Sequence, residues 1–236
     1  MQLTVVVPVY LEVKTIRKRL LAISSVLKNA NLDYEIICIV DGAGGHIGPP
    51  LQRTKIINLD KNYGKGYAVC EGMKKAQGEA VAFIDGGGEI DPEFLVFFWH
   101  FMKATNADIV VGSKLHPAST VSYPVVRKIL SWGYQMLTRV LFGLWVRDTQ
   151  VGIKMFKKEV IKKVVPKLLV KSYAYDVELL AVALHHGFNK IYEAPINVKW
   201  RGGVGLSSKK LWIVILRMMW DTFAVFYRLR ILKYYD

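Results

Sequence analysis

Leu3 to Val7 is a β-branched run that stops at Pro8. Such a run predicts a strand buried on both faces. Thr15 to Leu27 changes to helical spacing, with Ile16, Leu20, Ile23 and Leu27 on one face. Strands are expected again at Glu35–Val40, which closes on Asp41-Gly42, and at Lys55–Leu59. Gly66 to Ala76 reads as a helix, and Ala80 to Ile84 as a strand ending at Asp85. Pro92 opens a further helix with Asp91 placed as its N-cap, and Ile109–Val111 is a fifth strand. The second half is less regular. Its pattern predicts helices over Pro124–Leu144 and Ala174–His186, with strands over Val151–Phe156 and Lys190–Lys199. From Leu211 onward the chain reads as helical, apolar and basic.

Strands alternating with helices predict an α/β fold whose mostly parallel sheet is flanked by helices on both faces. Polar residues cluster just beyond the strand ends, at Tyr10, Glu12, Asp41 and Asp85. Ligands of such sheets bind outside the carboxyl ends of the strands, so the first half reads as a nucleotide-binding half.

The chain has 236 residues, 52% of them hydrophobic, enough for one large domain and a short appendage. Lys and Arg number 33 against 19 Asp and Glu, a formal net charge of +14. A basic surface attracts nucleic acid, anionic lipid or phosphorylated small molecules. No nucleic-acid motif accompanies the charge, so nucleic acid is not expected as a partner. Cys38 and Cys70 have no metal-ligand spacing and read as buried thiols of a reducing compartment. The N-terminal residues run straight into a strand and do not read as a signal peptide. The most apolar long stretch, Leu211 to Tyr227, is interrupted by Arg217 and Asp221, so no membrane span is expected.

Candidate chemistry lies in the loops. Asp85-Gly86-Gly87-Gly88-Glu89 sets two carboxylates on a glycine-rich turn after an apolar strand. Oxygen ligands of this kind suit Mg²⁺ or Mn²⁺ bridged to substrate phosphates; a capping Asp85 beside a solvated Glu89 fits the turn equally. Asn62-Tyr63-Gly64-Lys65-Gly66 is basic and glycine-flanked, so its backbone amides and Lys65 are candidates for a phosphate, although it is not a P-loop and equally fits a plain turn. Arg127 and Ser131 stand one helical turn apart, Lys114 follows the fifth strand, and Arg201 lies beside a glycine-rich loop. Arg and Lys residues converging on loops suit a diphosphate or phosphomonoester, while each alone is also an ordinary solvated charge. Asp148-Thr149-Gln150 and Asp176-Val177-Glu178 are acidic clusters in which a carboxylate is usually a cap or an ion-pair partner, and His185 and His186 read as structural.

Taken in order, these segments resemble the family 2 glycosyltransferases, and within them the dolichyl-phosphate mannose and glucose synthases. The similarity runs from about residue 3 to 208. It is carried by Val5-Val6-Val7-Pro8-Val9-Tyr10-Leu11-Glu12, Asp41-Gly42, Asn62 to Ala68, Ala76-Gln77-Gly78-Glu79, Phe83-Ile84-Asp85, Gly112-Ser113-Lys114, Arg127 to Ser131, Asp148 to Lys154 and Tyr175 to Leu180. The resemblance implies a GT-A fold, a nucleoside-diphosphate-sugar donor such as GDP-mannose or a UDP-sugar, a polyprenyl or dolichyl phosphate acceptor, and inversion. By the same resemblance Pro8, Tyr10, Glu12 and Asp41 line the nucleoside pocket, and Asp85 and Glu89 hold Mg²⁺ or Mn²⁺. Lys65 and Lys114 belong with the donor phosphates; Arg127, Ser131 and Arg201 belong with the acceptor phosphate; Asp148 and Gln150 lie near the transferred sugar. Two departures stand out. Val40-Asp41-Gly42-Ala43 replaces the usual Asp-Asp-Gly-Ser. The Asp-X-Asp metal motif is Asp85-Gly86-Gly87, with Glu89 where relatives often carry Gln.

A lipid monophosphate is already an anionic nucleophile at neutral pH, so this reading requires no general base. Residues 1–208 are then the catalytic domain and 209–236 an amphipathic, membrane-associating segment. Its Trp212, Trp220, Phe223 and Phe226 interleave with Arg217, Arg228 and Arg230, as in a helix lying in a bilayer interface, although a buried C-terminal helix has similar content. The expected location is cytoplasmic, peripheral to the cell membrane. Transfer to a non-lipid acceptor and a catalytically weakened nucleotide-sugar-binding protein are the alternatives.

Overall fold

The structure, a computed structural model, describes residues 1–10, 13–42, 48, 51–120, 125–198 and 208–236, with backbone only at 13–14, 125–129 and 208–211. Among the described residues seven strands form one sheet in the order β3-β2-β1-β4-β6-β5-β7. β1 (Leu3–Val9) lies between β2 (Tyr34–Asp41) and β4 (Ala80–Ile84), parallel to both, with Val5 opposite Ile36 and Ala82. β3 (Thr54–Leu59) extends the parallel set at one edge. β5 (Ile109–Ser113) and β7 (Ile191–Pro195) are parallel to each other at the other edge. Between β4 and β5 runs β6 (Ile153–Lys157), antiparallel to both. The sheet is therefore mostly parallel, and the residues just before β6 lie at the same edge as the residues just after β4 and β5.

The near-continuous apolar strands are buried on both faces because helices cover both. α1 (Val13–Asn29) buries Ile16, Leu20, Ile23 and Leu27, the four positions at helical spacing. α2 (Lys65–Lys74) packs on β1 and β2, and Gly72 permits the approach: a Cβ there would lie 2.4 Å from Val6 Cγ1. α3 (Glu93–Thr105) starts one residue later than expected, with Pro92 rather than Asp91 at its N-cap, and Asp91 Oδ1 accepts from the Glu93 amide at 3.1 Å. α4 (Val125–Phe142) follows. β6 begins at Ile153 rather than Val151, and β7 ends at Pro195 rather than Lys199. The short α5 (Lys158–Val164) was not legible as an element: it spans two turns before a 3₁₀ turn at Val165–Lys167, too few residues for a periodicity to emerge.

α6 (Tyr175–His185) is buried from Tyr175 through Ala183. α7 (Ser208–Phe226) runs into a π-helical turn at Tyr227–Ile231. This last segment packs on the domain. Tyr134 and Thr222 hydroxyls meet at 2.8 Å, Phe142 and Phe226 rings pack at 6.3 Å, and the buried Tyr235 hydroxyl donates to Glu178 at 2.5 Å. Among the described residues, no helix is long and apolar enough to cross a membrane.

Candidate active site

The carboxyl ends of β1, β2, β4 and β5 and the amino end of β6 share one edge of the sheet. That edge gathers Pro8, Tyr10, Asp41, Asp85, Lys114, Asp148 and Gln150 from strand ends and loops far apart in sequence. Glu12 and Arg201, expected here, lie outside the described residues, as does the Arg127 side chain. Ser131 is described on α4 and is half-buried.

Asp41 organises the turn expected to meet phosphate. Its buried carboxylate accepts from the amides of Tyr63 at 2.7 Å and Gly64 at 2.8 Å. The Gly66 and Tyr67 amides donate to the Lys171 carbonyl at 2.9 and 3.4 Å. Gly64 adopts φ 101°, and a Cβ there would lie 2.5 Å from that same carbonyl oxygen. These four amides therefore hold the turn together, which fits the plain-turn reading of this segment rather than a backbone offered to phosphate. Lys65 remains the part of this turn that reaches the ligand edge.

Lys65 Nζ donates to Asp85 Oδ2 at 2.9 Å and lies 2.7 Å from Oδ1. Burial alone lowers the Lys65 pKa; the charges of Asp85 and Asp176 outweigh that, and the group ends above its ordinary value. Asp85 is seated by Gly152, whose carbonyl accepts from the Asp85 amide at 2.9 Å. Asp148 Oδ2 accepts from the Lys114 amide at 3.2 Å and lies 3.6 Å from its ammonium. Gln150 turns instead toward α7, its Nε2 3.6 Å from Met218 Sδ.

Behind the site lies a buried ion pair. Lys154 Nζ meets Asp176 Oδ1 at 2.5 Å and the Val151 carbonyl at 2.9 Å, with the Phe83 ring 4.9 Å away. Burial pushes the lysine's pKa down and the aspartate's up. The ion-pair reading of the Asp176 cluster thus holds for both carboxylates: Glu178 lies 3.5 Å from the Arg228 guanidinium and also accepts from the Leu169 and Val170 amides and from Tyr235. The sequence signal for this pair is slight: a lysine between apolar residues in Ile153-Lys154-Met155-Phe156 and an aspartate near the start of the apolar α6. His185 bonds Asp236 at 2.6 Å, a structural contact, and burial raises both cysteine thiols to about 12, so they are inert as nucleophiles.

Among the described residues no three acidic, His or Cys side chains gather into a metal cage. Asp85 is half-exposed and Glu89 exposed. One or two carboxylates completed by substrate phosphates are a donor set that Mg²⁺ and Mn²⁺ accept, so the residues fit an ion bound together with a diphosphate.

The model of glycosyl transferase family 2 matches residues 4–165. This chain belongs to glycosyl transferase family 2. The dolichyl-phosphate beta-glucosyltransferase of Homo sapiens is 31% identical over 89% of this chain and 71% of its own length. That of Dictyostelium discoideum is 28% identical over 66% of this chain and 52% of its own. The chain thus spans about half to three quarters of these relatives. Glucosyl-3-phosphoglycerate synthase from Mycobacterium tuberculosis, solved with Mn²⁺, UDP and phosphoglyceric acid, superposes with a TM-score of 0.72 over 95% of this chain and 78% of that one, at 16% identity. The same enzyme with Mg²⁺ and UDP superposes at 0.71. The GT-A architecture expected of a family 2 chain is the one present.

Proposed function

We propose that this chain transfers a sugar, with inversion, from a nucleoside-diphosphate sugar to a polyprenyl or dolichyl phosphate at the cytoplasmic face of a membrane. The observation that carries the lipid acceptor is an exposed apolar ledge on two packed helices. α4 presents Trp132, Met136 and Val140, each four residues from the next, and α7 presents Trp212, Leu216 and Trp220 at the same spacing, with Phe223 three residues on. Val140 is 77% and Trp220 75% exposed, and exposed Arg217 and Arg230 flank them. Contiguous apolar surface with aromatic and basic residues suits a bilayer interface. The names of the relatives add support for the lipid phosphate and favour glucose over mannose.

In this reading a phosphate oxygen of the acceptor attacks the anomeric carbon from the face opposite the leaving group. The bond to the donor diphosphate breaks, and the nucleoside diphosphate departs with the electron pair. No proton need be removed from the nucleophile. The protein's work is positioning and charge neutralisation. Pro8, Tyr10, Glu12 and Asp41 shape the nucleoside end, Asp41 by fixing the turn at 62–64. Lys65 and Lys114 face the donor phosphates, and Arg127, Ser131 and Arg201 the acceptor phosphate. Asp148 and Gln150 border the transferred sugar. Asp85 and Glu89, with the donor phosphates, would hold Mg²⁺ or Mn²⁺, which supplies positive charge to the leaving diphosphate.

The test is a calorimetric screen of UDP-glucose, GDP-mannose and UDP-N-acetylglucosamine with Mn²⁺, followed by transfer to dolichyl phosphate in liposomes. Turnover on soluble acceptors with none on the lipid phosphate defeats the proposal. A nucleotide-sugar-binding protein without turnover is the second reading, favoured by Gly87 in the metal motif. Donor binding without transfer to either acceptor class would establish it.

A further inference from the structure

Asp85 already carries a cation. The ammonium of Lys65, the first residue of α2, lies 2.7 Å from Oδ1 and donates to Oδ2 at 2.9 Å, so each oxygen a divalent ion would use already faces a cation. Gly152 seats the carboxylate from one side. A Cβ on Gly152 would lie 2.2 Å from Asp85 Oδ2, so the carboxylate fills the space that this glycine leaves. Asp176, the other carboxylate whose charge acts on Lys65, is occupied by Lys154 at 2.5 Å. Gly87 offers an incoming ion no side chain, and no third acidic, His or Cys ligand is grouped with Asp85 among the described residues. A divalent ion approaching the ligand-free site therefore meets an ammonium on its best ligand, and like charges repel strongly in a partly desolvated site.

A donor diphosphate changes both sides of this balance. It offers Lys65 an alternative anion on the same side of the sheet, and it offers the ion the oxygens that Gly87 does not. We infer that Lys65 is the resident counter-ion of Asp85, and that a divalent cation gains Asp85 only when a nucleoside diphosphate is present to take the Lys65 ammonium. The inference rests on the proposed role of Asp85 as metal ligand. Metal and nucleotide then bind as a coupled pair, and the coupling is reciprocal: each tightens the other by the same factor.

The experiment titrates Mn²⁺ into wild type, Lys65→Met, Lys65→Arg and Asp85→Asn, reading free Mn²⁺ by electron paramagnetic resonance, first without nucleotide and then with saturating UDP, with GDP as a parallel arm. For wild type, nucleotide should tighten Mn²⁺ binding at least tenfold. Lys65→Met should tighten nucleotide-free Mn²⁺ binding at least tenfold, weaken UDP, and shrink the coupling. Lys65→Arg, which keeps a cation on Asp85, should follow wild type. Melting temperatures show that the variants are folded, and the wild-type comparison needs no variant at all. Equal Mn²⁺ affinity of wild type with and without nucleotide overturns the inference, as does equal nucleotide-free affinity of wild type and Lys65→Met. If in either case Asp85→Asn still abolishes Mn²⁺ binding with nucleotide, Asp85 stands as the ligand and Lys65 alone has been misread. Mn²⁺ binding untouched by Asp85→Asn removes the metal assignment and the inference together.

Discussion

Gly152 and Asp85 share one small volume: the glycine's carbonyl accepts from the Asp85 amide at 2.9 Å, and the space a Cβ would fill at Gly152 holds the Asp85 carboxylate. The register that aligns Ile84 with Ile153 across antiparallel strands brings them together. Two motifs 67 positions apart, read separately in the sequence, are thus halves of one site.

Gly152→Ala should therefore displace the Asp85 side chain while leaving the fold intact. Transfer should fall by about 100-fold, the scale expected for a misplacement of about 1 Å in a catalytic group. Steady-state transfer and thermal melting of the same preparation check this. A fully active variant means that Asp85 does not need its present position.

The Lys154–Asp176 pair is buried in the core beneath the site. Lys154→Met should destabilise by about 3–5 kcal/mol, because it leaves Asp176 buried without its cation. Lys154→Met with Asp176→Leu should recover most of that loss. Urea unfolding of the three variants decides it, and a single variant as stable as wild type would show that the pair is dispensable.

Membrane association should depend on α4 as well as on the tail. Deleting residues 209–236 is a poor test, since it strips Tyr235 from the buried Glu178 and damages the fold. Val140→Glu and Trp220→Glu alter exposed positions instead. Each should weaken flotation with anionic liposomes several-fold with little change in melting temperature, and the double variant should weaken it further. Flotation equal to wild type in the double variant would mean that the ledge faces something other than lipid.

Arg127, proposed on the acceptor phosphate, should tolerate Lys better than Ala. Lysine keeps the charge but loses the planar fork, so activity should fall in the order wild type, Arg127→Lys, Arg127→Ala. The effect should fall on the KM for dolichyl phosphate more than on donor affinity. Full activity in both variants would remove this residue from the site.

Acid should destabilise the protein partly through His186. Its pKa is lowered, first by burial and then by Lys167, Lys163 and His185. The unfolded chain takes up this proton at the ordinary histidine value, before the folded protein does. The contribution is therefore intact above about pH 6.5 and lost as pH falls through the window between the two values. His186→Gln should flatten the fall in urea midpoint between pH 7 and pH 5. An unchanged slope would assign the loss to other groups.

The sequence by itself determined the order of the strands and of every long helix, because β1, β2, β4 and β5 are compact apolar runs and α1 repeats its apolar residues every three or four positions. It also determined which loops carry chemistry, since polar residues directly after buried strands have nowhere to go but the ligand edge. Asp85, Asp41 and Lys114 were legible for that reason. Three things were decided only by the tertiary structure. One was the antiparallel insertion of β6, which sets Gly152 against Asp85 and follows from pairing between strands distant in the chain. Another was the partnership of charges: Lys65 with Asp85 and Lys154 with Asp176 are contacts across 20 and 22 positions, and periodicity carries no record of them. The third was which apolar residues face outward. In the sequence Trp220 fits an interfacial helix and a buried one alike, and only the packing of α4 on α7 through Tyr134, Thr222, Phe142 and Phe226 turns the opposite faces of both helices, Trp132 included, to the surface. Local pattern specifies which face of an element is apolar, but whether that face meets protein or solvent depends on what the rest of the chain places against it.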